Sequence, residues 1–187
     1  AVQKCVDAAS HVWFPEGTYM IDGNDPAGPF GRQGIRVRSN QTLSGLNATL
    51  EVIPNSNDGY DALLVRNVEN VTIENLTLKG ERANHSGTTG QFGMGIEIFE
   101  ANRISIKNCF IKDFWGDGIY IGQTSQNTSI SENVTISNVV CDNNRRQGMS
   151  IISAIGLYCE NCTFKNTNGT PPSAGVDLEP NEFWSKL

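Results

Sequence analysis

The sequence predicts an all-β fold, a right-handed parallel β-helix in which short strands coil into stacked turns. Three observations predict this solenoid: a repeated strand–Asn–strand segment, a repeated glycine-led segment, and a short helical pattern at the amino terminus. No helical pattern separates the repeated strands, which argues against folds that alternate helices with strands. Repeats of roughly 20–35 residues indicate a solenoid, because stacked turns can bury an apolar face that one turn cannot.

The first repeat consists of two alternating strands that meet at a shared asparagine. Each copy reads apolar–x–apolar–x–Asn–apolar–x–apolar, with the period of two that is typical of a strand with one buried face. At the bend, we expect each Asn amide to bond to the backbone or to the Asn above and below, in an internal ladder. The copies are residues 71–78, 104–111, 134–141 and 157–164, with Asn75, Asn108, Asn138 and Asn161 at the bends.

The second repeat begins at a glycine and reads Gly–apolar–x–apolar. Clear copies occupy residues 95–98, 118–121, 148–151 and 175–178, and looser copies occupy 34–37 and 62–65. Because the apolar residues point inward, stacking these copies predicts two outward columns of side chains. One column holds Leu64, Glu97, Tyr120, Ser150 and Asp177, and its neighbour holds Arg66, Phe99, Gly122, Ile152 and Glu179.

The amino-terminal residues predict a cap for the solenoid. Residues 1–10 have apolar residues at helical spacing, and residues 11–21 read as a strand, a Pro-Glu-Gly turn and a second strand. The helix would cover the apolar end and unpaired edge of the first turn. Residues 1–187 are expected to form one β-helix domain. Since no similar cap follows residues 175–178, either another chain covers that end or, as we prefer, the sequence is a fragment of a longer β-helix.

Composition and charge exclude several classes of function. The 187 residues carry a net charge of −6, and 18% of them are charged, which is ordinary for a globular protein. Without a basic excess, no nucleic-acid partner is expected. No stretch approaches the roughly 18 apolar residues that span a membrane, so no membrane partner is expected either.

The five cysteines are expected to be free thiols. Their odd number and irregular spacing argue against a complete disulfide framework. Cys159 and Cys162 have the spacing of a metal or redox motif, but the first repeat places both at core-facing strand positions. We therefore expect both to be buried thiols.

The opening stretch VDAA…VWFPEGTYMI resembles the start of the pectate-lyase-like β-helix domains of phage tailspikes, polygalacturonases and mannuronan epimerases. The turns GDGIYIG and RRQGMSI…AGVDLEPN are most similar to bacterial and phage members. This resemblance covers nearly the whole chain and is specific for the fold. It implies a polysaccharide substrate, a homotrimer if the chain is tailspike-like, and a place on a phage virion tail or outside a bacterial cell. The polygalacturonase signature motifs are absent, so the resemblance does not imply that reaction.

Asp177 and Glu179 are the strongest candidates for catalytic residues. Two positions along a strand separate their Cα atoms by about 6.6 Å, with both side chains on one face. Carboxyl groups about 6.5–9.5 Å apart are typical of inverting glycosidases, in which one is the acid and the other the base. Alternatively, these two carboxylates shape the turn at Pro180 or bind a calcium ion. Apart from that ion, no cofactor is expected.

Asp117 and Glu97 are further catalytic candidates. Flanking glycines would let the backbone bend and expose Asp117, although an Asx turn is an equal alternative. Glu97 lies one turn from Tyr120 and is either an acid or a solvated outward residue. His11 and His85, the two histidines of the chain, are not expected to form a catalytic triad or a metal site.

Arg145, Arg146, Tyr120 and Gln147 are the candidates for substrate binding. Guanidinium groups suit uronate carboxylates, and aromatic rings suit the apolar faces of sugars. Because Arg145 and Arg146 are adjacent in an extended chain, only one of them is expected to face the groove.

These residues predict a polysaccharide-degrading enzyme that binds an extended glycan along one face of the β-helix. The carboxylates favour a glycoside-hydrolase-like depolymerase. Alternatives are a polysaccharide lyase or C5-epimerase acting on uronates, in which a basic residue would accept the proton, and a non-catalytic carbohydrate-binding or adhesin module on the same fold.

Overall fold

A computed structural model describes residues 1–23, 33–123 and 129–180 of the chain. These residues form a parallel β-solenoid of about five turns, which confirms the predicted fold class. The described ranges contain one α-helix, α1 (Val2–Ala8), and one 3-10 helix, η1 (Arg82–Asn84). The strands are β1 (His11–Phe14), β2 (Gly17–Ile21), β3 (Gln33–Arg36), β4 (Gln41–Val52), β5 (Gly59–Arg66), β6 (Glu69–Lys79), β7 (Phe92–Phe99), β8 (Asn102–Lys107), β9 (Phe110–Lys112), β10 (Ile119–Gly122), β11 (Ser131–Ser137), β12 (Val140–Asp142), β13 (Gln147–Ile151), β14 (Ala154–Glu160), β15 (Thr163–Lys165) and β16 (Ala174–Leu178).

The strands form two sheets that run along the solenoid. A ten-stranded sheet contains the strand–Asn–strand repeats in the order β14-β11-β8-β6-β9-β12-β15. Its remaining strands are β4, which pairs with β6, and β1 and β2, which both pair with β4. A six-stranded sheet contains the glycine-led repeats in the order β16-β13-β10-β7-β5-β3. Each complete turn therefore contributes to both sheets, as the pairing of β8, β9 and β10 with their counterparts one turn away shows.

The pairing registers match the predicted alignment of both repeats. In the ten-stranded sheet, the first apolar position runs through Val71, Ile104, Val134 and Leu157. In the six-stranded sheet, the position after glycine runs through Ile35, Leu63, Ile96, Ile119, Met149 and Val176. Apart from Val176, which is 43% exposed, these inward columns stack into one continuous hydrophobic core, which stabilises the solenoid by removing apolar area from water.

Helix α1 lies over the first turn as predicted, although it is shorter than residues 1–10. Val6 is its buried residue and joins the hydrophobic core. The last carbonyl groups of the helix accept hydrogen bonds from elsewhere in the chain: Gln41 Nε2 donates to the carbonyl oxygens of Val6 and Ala9 at 2.6 and 2.7 Å. This cap replaces the intrahelical partners that the end of every helix lacks.

The predicted internal asparagine ladder is wrong, because these side chains lie outside the solenoid. All four bend residues have exposed side chains and φ between 52° and 56°, in the left-handed region that Asn tolerates better than most residues. The following residue, Leu76 or Cys109, occupies the interior instead. The amides still form part of a ladder, since Asn108 Nδ2 donates to Asn75 Oδ1 at 3.2 Å.

The predicted burial of Cys159 and Cys162 is also wrong. Cys159 is exposed and Cys162 is partly exposed, whereas Cys109 and Cys141 are buried free thiols. Cys159 keeps its predicted register with Ile136 in the core column. Within the described ranges no strand pairs with the far edge of β14, which leaves this cysteine uncovered.

Within the same ranges, none of the helices has the length and apolarity needed to cross a membrane.

Candidate functional site

The candidate site lies on the outer face of the six-stranded sheet. The predicted outward column is confirmed by strand pairing, because its members occupy matching positions on successive strands. Four inter-strand spacings extend this column over about 19 Å, along the solenoid axis. We name this surface the carboxylate face, after Asp61, Glu97, Asp117, Asp177 and Glu179. Its column residues are Leu64, Glu97, Tyr120, Ser150 and Asp177, of which Leu64 and Ser150 are buried by neighbouring groups.

Asp61 and Glu97 form a hydrogen-bonded carboxyl pair in an open pocket on this face. The pocket has a volume of about 150 Å³ and is lined by Gly59, Tyr60, Asp61, Phe92 and Glu97. Burial raises the pKa of Glu97 to about 7, and burial and the charge of Glu97 raise the pKa of Asp61 well above its ordinary value. Because two adjacent carboxylates disfavour double ionisation, the pair holds a proton near neutral pH.

Asp61 was not predicted as a site residue, although a signal for it exists. It lies directly before Ala62, just as Asp117 and Gln147 lie directly before the first glycines of their repeats. The same position in each turn therefore faces the site. The copy that follows Asp61 begins with Ala62 in place of glycine, and the pairing of β5 with β7 aligns Asp61 with Met94, the residue before Gly95.

Arg146 connects two carboxylates of the carboxylate face. Its Nη1 donates to Asp117 Oδ2 at 2.9 Å, and its Nη2 donates to Glu179 Oε2 at 3.0 Å. Burial opposes the charge of this guanidinium, but Asp117 and Glu179 outweigh that effect and raise its pKa. Arg146 is therefore a firmly charged group that positions Glu179, whose side chain remains 35% exposed.

The expectation that glycines expose Asp117 is wrong, since this side chain is fully buried. The side chains of Arg146 and Ser150 cover it, and Ser150 Oγ donates to Asp117 Oδ2 at 2.6 Å. Burial raises the pKa of Asp117 to about 6, against the lowering effects of Arg146 and Ser150. Its other oxygen, Oδ1, accepts no hydrogen bond from the described residues. Asp117 thus supports Arg146 from beneath the face rather than projecting from it.

Asp177 and Glu179 lie on the carboxylate face as predicted but have different partners. Gln147 Nε2 donates to Asp177 Oδ2 at 3.1 Å, whereas Glu179 binds Arg146. Their proposed acid and base roles stay a prediction. In the described part of the chain, no group of three or more His, Cys, Asp or Glu side chains has the arrangement of a metal site.

Tyr120 lies between the acid pair and the Arg146 cluster. Burial, then the charges of Glu97 and Asp117, raise the pKa of its phenol to about 12. Its ring is tilted against Phe99 at a centroid distance of 5.8 Å, and the Arg66 guanidinium lies 5.3 Å from the Phe99 ring centroid. Together with Phe92, which is 51% exposed at the pocket, these rings suit the apolar faces of sugars.

Arg145 turns away from Arg146, as their adjacency predicts. Its guanidinium lies over the Trp115 ring, 3.8 Å from the centroid, in the turn that precedes β13. His85 stacks on the same tryptophan and pairs with Glu81 at 3.0 Å. The sequence does not reveal this pair, because the burial of the imidazole depends on Trp115, a residue distant in sequence.

Comparisons with known sequences agree with this architecture. A family model for the right-handed β-helix region matches residues 16–183. The Bacillus subtilis (strain 168) protein YclG, described as uncharacterized, is 35% identical over 185 residues, which cover 90% of this chain and 32% of YclG. The chain spans about a third of the length of the curated relatives it matches.

Two solved structures share the fold. The tailspike protein gp49 of Acinetobacter baumannii bacteriophage Fri1, a capsular polysaccharide depolymerase, matches with a TM-score of 0.71 and 18% identity over 97% of this chain and 34% of gp49. The A-module of Azotobacter vinelandii mannuronan C-5 epimerase AlgE4 matches with a TM-score of 0.52 and 17% identity over 83% of this chain and 53% of the module. At these identities the likeness shows the fold and not the reaction.

Proposed function

Because this chain belongs to the right-handed β-helix family, we propose that its carboxylate face binds an extended glycan and hydrolyses the glycosidic bonds. The observation that carries the proposal is the Asp61–Glu97 pair, which holds a proton near neutral pH in an open pocket. Glycoside hydrolysis needs such a proton donor beside an ionised carboxylate. The likeness to a capsular polysaccharide depolymerase supports a polysaccharide as the substrate.

Glu97 is the proposed general acid. With a pKa raised to about 7, it keeps a substantial protonated fraction at neutral pH. A donor with a pKa near the working pH transfers its proton to a leaving-group oxygen most effectively. Asp61 is bonded to Glu97 and holds it in place at the wall of the pocket.

Glu179 is the proposed general base. It is partly exposed, and Arg146, in the turn that precedes β13, fixes its position. Both carboxylates raise the pKa of Tyr120, which lies between them. Strands β7 and β16 are three inter-strand spacings apart, or about 14 Å. Inverting enzymes hold their carboxyl groups about 6.5–9.5 Å apart and retaining enzymes about 5–5.5 Å. The Glu97 and Glu179 side chains must therefore extend toward each other across Tyr120, and their wide separation favours inversion over retention.

Elimination and epimerisation at a uronate are less well supported by this face. Both reactions remove the weakly acidic proton beside a uronate carboxylate, for which the sequence suggested a basic residue as the acceptor. The pKa of Tyr120 is raised to about 12, and the pKa of Arg146 is also raised, so neither group accepts a proton readily. We therefore place hydrolysis ahead of the lyase and epimerase reactions.

The tailspike likeness supports a place on a phage tail or outside a bacterial cell, and the homotrimer that the family resemblance implies is part of this proposal. Size-exclusion chromatography with light scattering measures the assembly directly. A mass of three chains is expected, and a monomer across the concentration range would remove the trimer from the proposal.

A panel of bacterial capsular and secreted polysaccharides tests the reaction. We expect new reducing ends without the ultraviolet absorbance of unsaturated uronate products. Absorbance together with reducing ends would replace hydrolysis by elimination. Glycan binding with neither signal would leave only the carbohydrate-binding module.

A further inference from the structure

Trp115 lies between a histidine and an arginine beside the carboxylate face. The His85 ring is stacked on it at a centroid distance of 3.8 Å and an interplanar angle of 17°. The Arg145 guanidinium lies over the same ring, also 3.8 Å from its centroid. Since two groups cannot occupy one face at this distance, they cover opposite faces of the indole.

The segment 80–91, which joins β6 to β7, is held firmly against this stack. His85 and Glu81 form a pair whose side chains are 0% and 1% exposed. Trp115 Nε1 donates to the carbonyl oxygen of Thr89 at 3.1 Å, and Arg145 Nη1 donates to that of Gly90 at 2.8 Å. Arg145 is therefore held in one orientation by an aromatic ring and a neutral carbonyl group.

The same segment brings a second arginine beside Arg145. Arg82 Nη1 donates to the backbone oxygen and Oδ1 of Asn143 at 2.8 and 3.0 Å, and its Nη2 donates to Asn168 Oδ1 at 2.7 Å. Gly169 lies between the two arginines, because a Cβ atom there would be 3.0 Å from Arg145 Cγ and 3.2 Å from Arg82 Nη2. We name Arg82 and Arg145 the arginine pair.

The charges of the arginine pair are not neutralised within the described ranges, where neither guanidinium forms an ion pair with a carboxylate. The charge of Asp113 raises the pKa of Arg82, but this carboxylate has other partners. It accepts a hydrogen bond from Asn143, and its Oδ2 lies 3.9 Å from Lys112 Nζ. Burial lowers the pKa of both arginines, and the charge of Arg82 lowers that of Arg145 further. Such like charges repel each other, and a bound anion would relieve this repulsion.

We propose that the arginine pair binds an anionic substituent, a carboxylate or a phosphate, of the glycan that lies along the carboxylate face. Two guanidiniums held by neutral acceptors have donors and charge for an oxyanion, in a chain whose net charge is −6. Arg145 directly precedes Arg146, but its side chain lies over Trp115, so the anion would bind beside the turn that precedes β13, at the edge of the carboxylate face. That the anion belongs to a glycan rests on the proposed function; the anion site itself does not.

Binding measurements on the chain test this site without any turnover. The probes are inorganic phosphate, trigalacturonate and its carboxyl-reduced neutral form, each titrated into ¹⁵N-labelled protein. We expect phosphate or trigalacturonate to shift the Trp115 indole signal and the Arg145 Nε signal, and the neutral sugar to shift neither. The anion that binds with the higher affinity identifies the preferred chemistry, phosphate or carboxylate.

Arg82→Gln and Arg145→Gln should each weaken anion binding about tenfold, since each removes one charge-assisted contact. Arg103→Gln is the matched control, because Arg103 is an exposed arginine on the ten-stranded sheet and should bind anions as the parent does. Arg82→Gln leaves the Trp115 stack intact and keeps the test valid if Arg145→Gln unfolds.

Equal affinity of the parent and both variants for the anions, or no binding by the parent, would overturn the anion site. Anion binding by a chain that cleaves no glycan would keep this site and remove the proposed function. Cleavage of neutral glycans alone, without anion binding, would keep the proposed function and remove the anion site.

Discussion

Asp61 and Glu97, from the neighbouring strands β5 and β7, are hydrogen-bonded to each other on the outer face of the solenoid. Neither side chain could be a mere solvated carboxylate, because burial raises the pKa of both groups. The pair brings together an acid that the sequence singled out and one that it did not. Its proton is the basis of the chemistry proposed for this protein.

Replacing Glu97 by Gln should abolish most of the turnover while leaving glycan binding intact. The amide keeps the shape of the side chain but has no acidic proton to donate, and loss of a general acid costs about 10²–10⁴-fold in rate. Reducing-end release measures the rate, and isothermal titration measures binding.

The matched control for this prediction is Glu132→Gln, which changes an exposed glutamate on the ten-stranded sheet. Its turnover should equal that of the parent. Full activity of Glu97→Gln would exclude Glu97 as the acid.

The rate of cleavage should fall as the pH rises through about 7. Glu97 donates its proton only when protonated, and its pKa is raised to about 7. A pH profile of kcat/KM, measured at constant ionic strength, should therefore show a descending limb near this value. A rate that is constant from about pH 6 to about pH 9 would contradict the assignment.

The stability of the fold should also decrease with rising pH. Glu97 and Asp117 have folded-state pKa values raised to about 7 and about 6, whereas unfolded carboxyl groups titrate near 3.9–4.3. The folded state therefore binds protons more tightly, and this contribution is full below about pH 4 and is lost as the pH rises to about 7.

Thermal unfolding of the parent and of Glu97→Gln across this pH range measures the effect. The Tm of the parent should fall more steeply with pH than that of the variant, because the amide does not ionise. Parallel curves would show that the pKa of Glu97 is not raised in the folded state.

Asp117→Ala should destabilise the fold by about 3 kcal/mol. This substitution removes the buried partner of Arg146, and an uncompensated buried charge costs about 3–5 kcal/mol. The lower end applies because Glu179 remains bonded to Arg146. Urea unfolding gives the difference in the free energy of unfolding. For comparison, Asp177→Ala removes a partly exposed carboxylate bonded to Gln147 and should cost about 1 kcal/mol or less.

Asn108→Val should destabilise the bend between β8 and β9 by about 1–2 kcal/mol. Asn108 has φ of 53°, and a β-branched side chain is strained in this left-handed region. Asn108→Gly is the control, since glycine adopts this conformation without a steric cost and should unfold close to the parent. Equal stability of the Val and Gly variants would show that the bend does not require φ > 0.

The sequence by itself determined the solenoid, the order of its strands and the register between them. Two repeats with a period of two specify which residues point inward, and the alignment of their copies specifies which residues stack. The column through Glu97, Tyr120 and Asp177 followed from that pattern alone and agrees with the strand pairing. A local period is sufficient here because each turn pairs mainly with its neighbours.

Only the tertiary structure decided what covers each outward side chain. The alternation of apolar and polar residues along a strand distinguishes its inner face from its outer face. It does not show which side chains from other turns pack against the outer face. Arg146 and Ser150 therefore bury Asp117, Asp61 joins Glu97, and segment 80–91 covers Trp115. The asparagine bends point outward for a related reason, because φ > 0 reverses the direction that strand alternation would assign. Charge, protonation and partners depend on this burial, and burial is a property of turns brought together by folding.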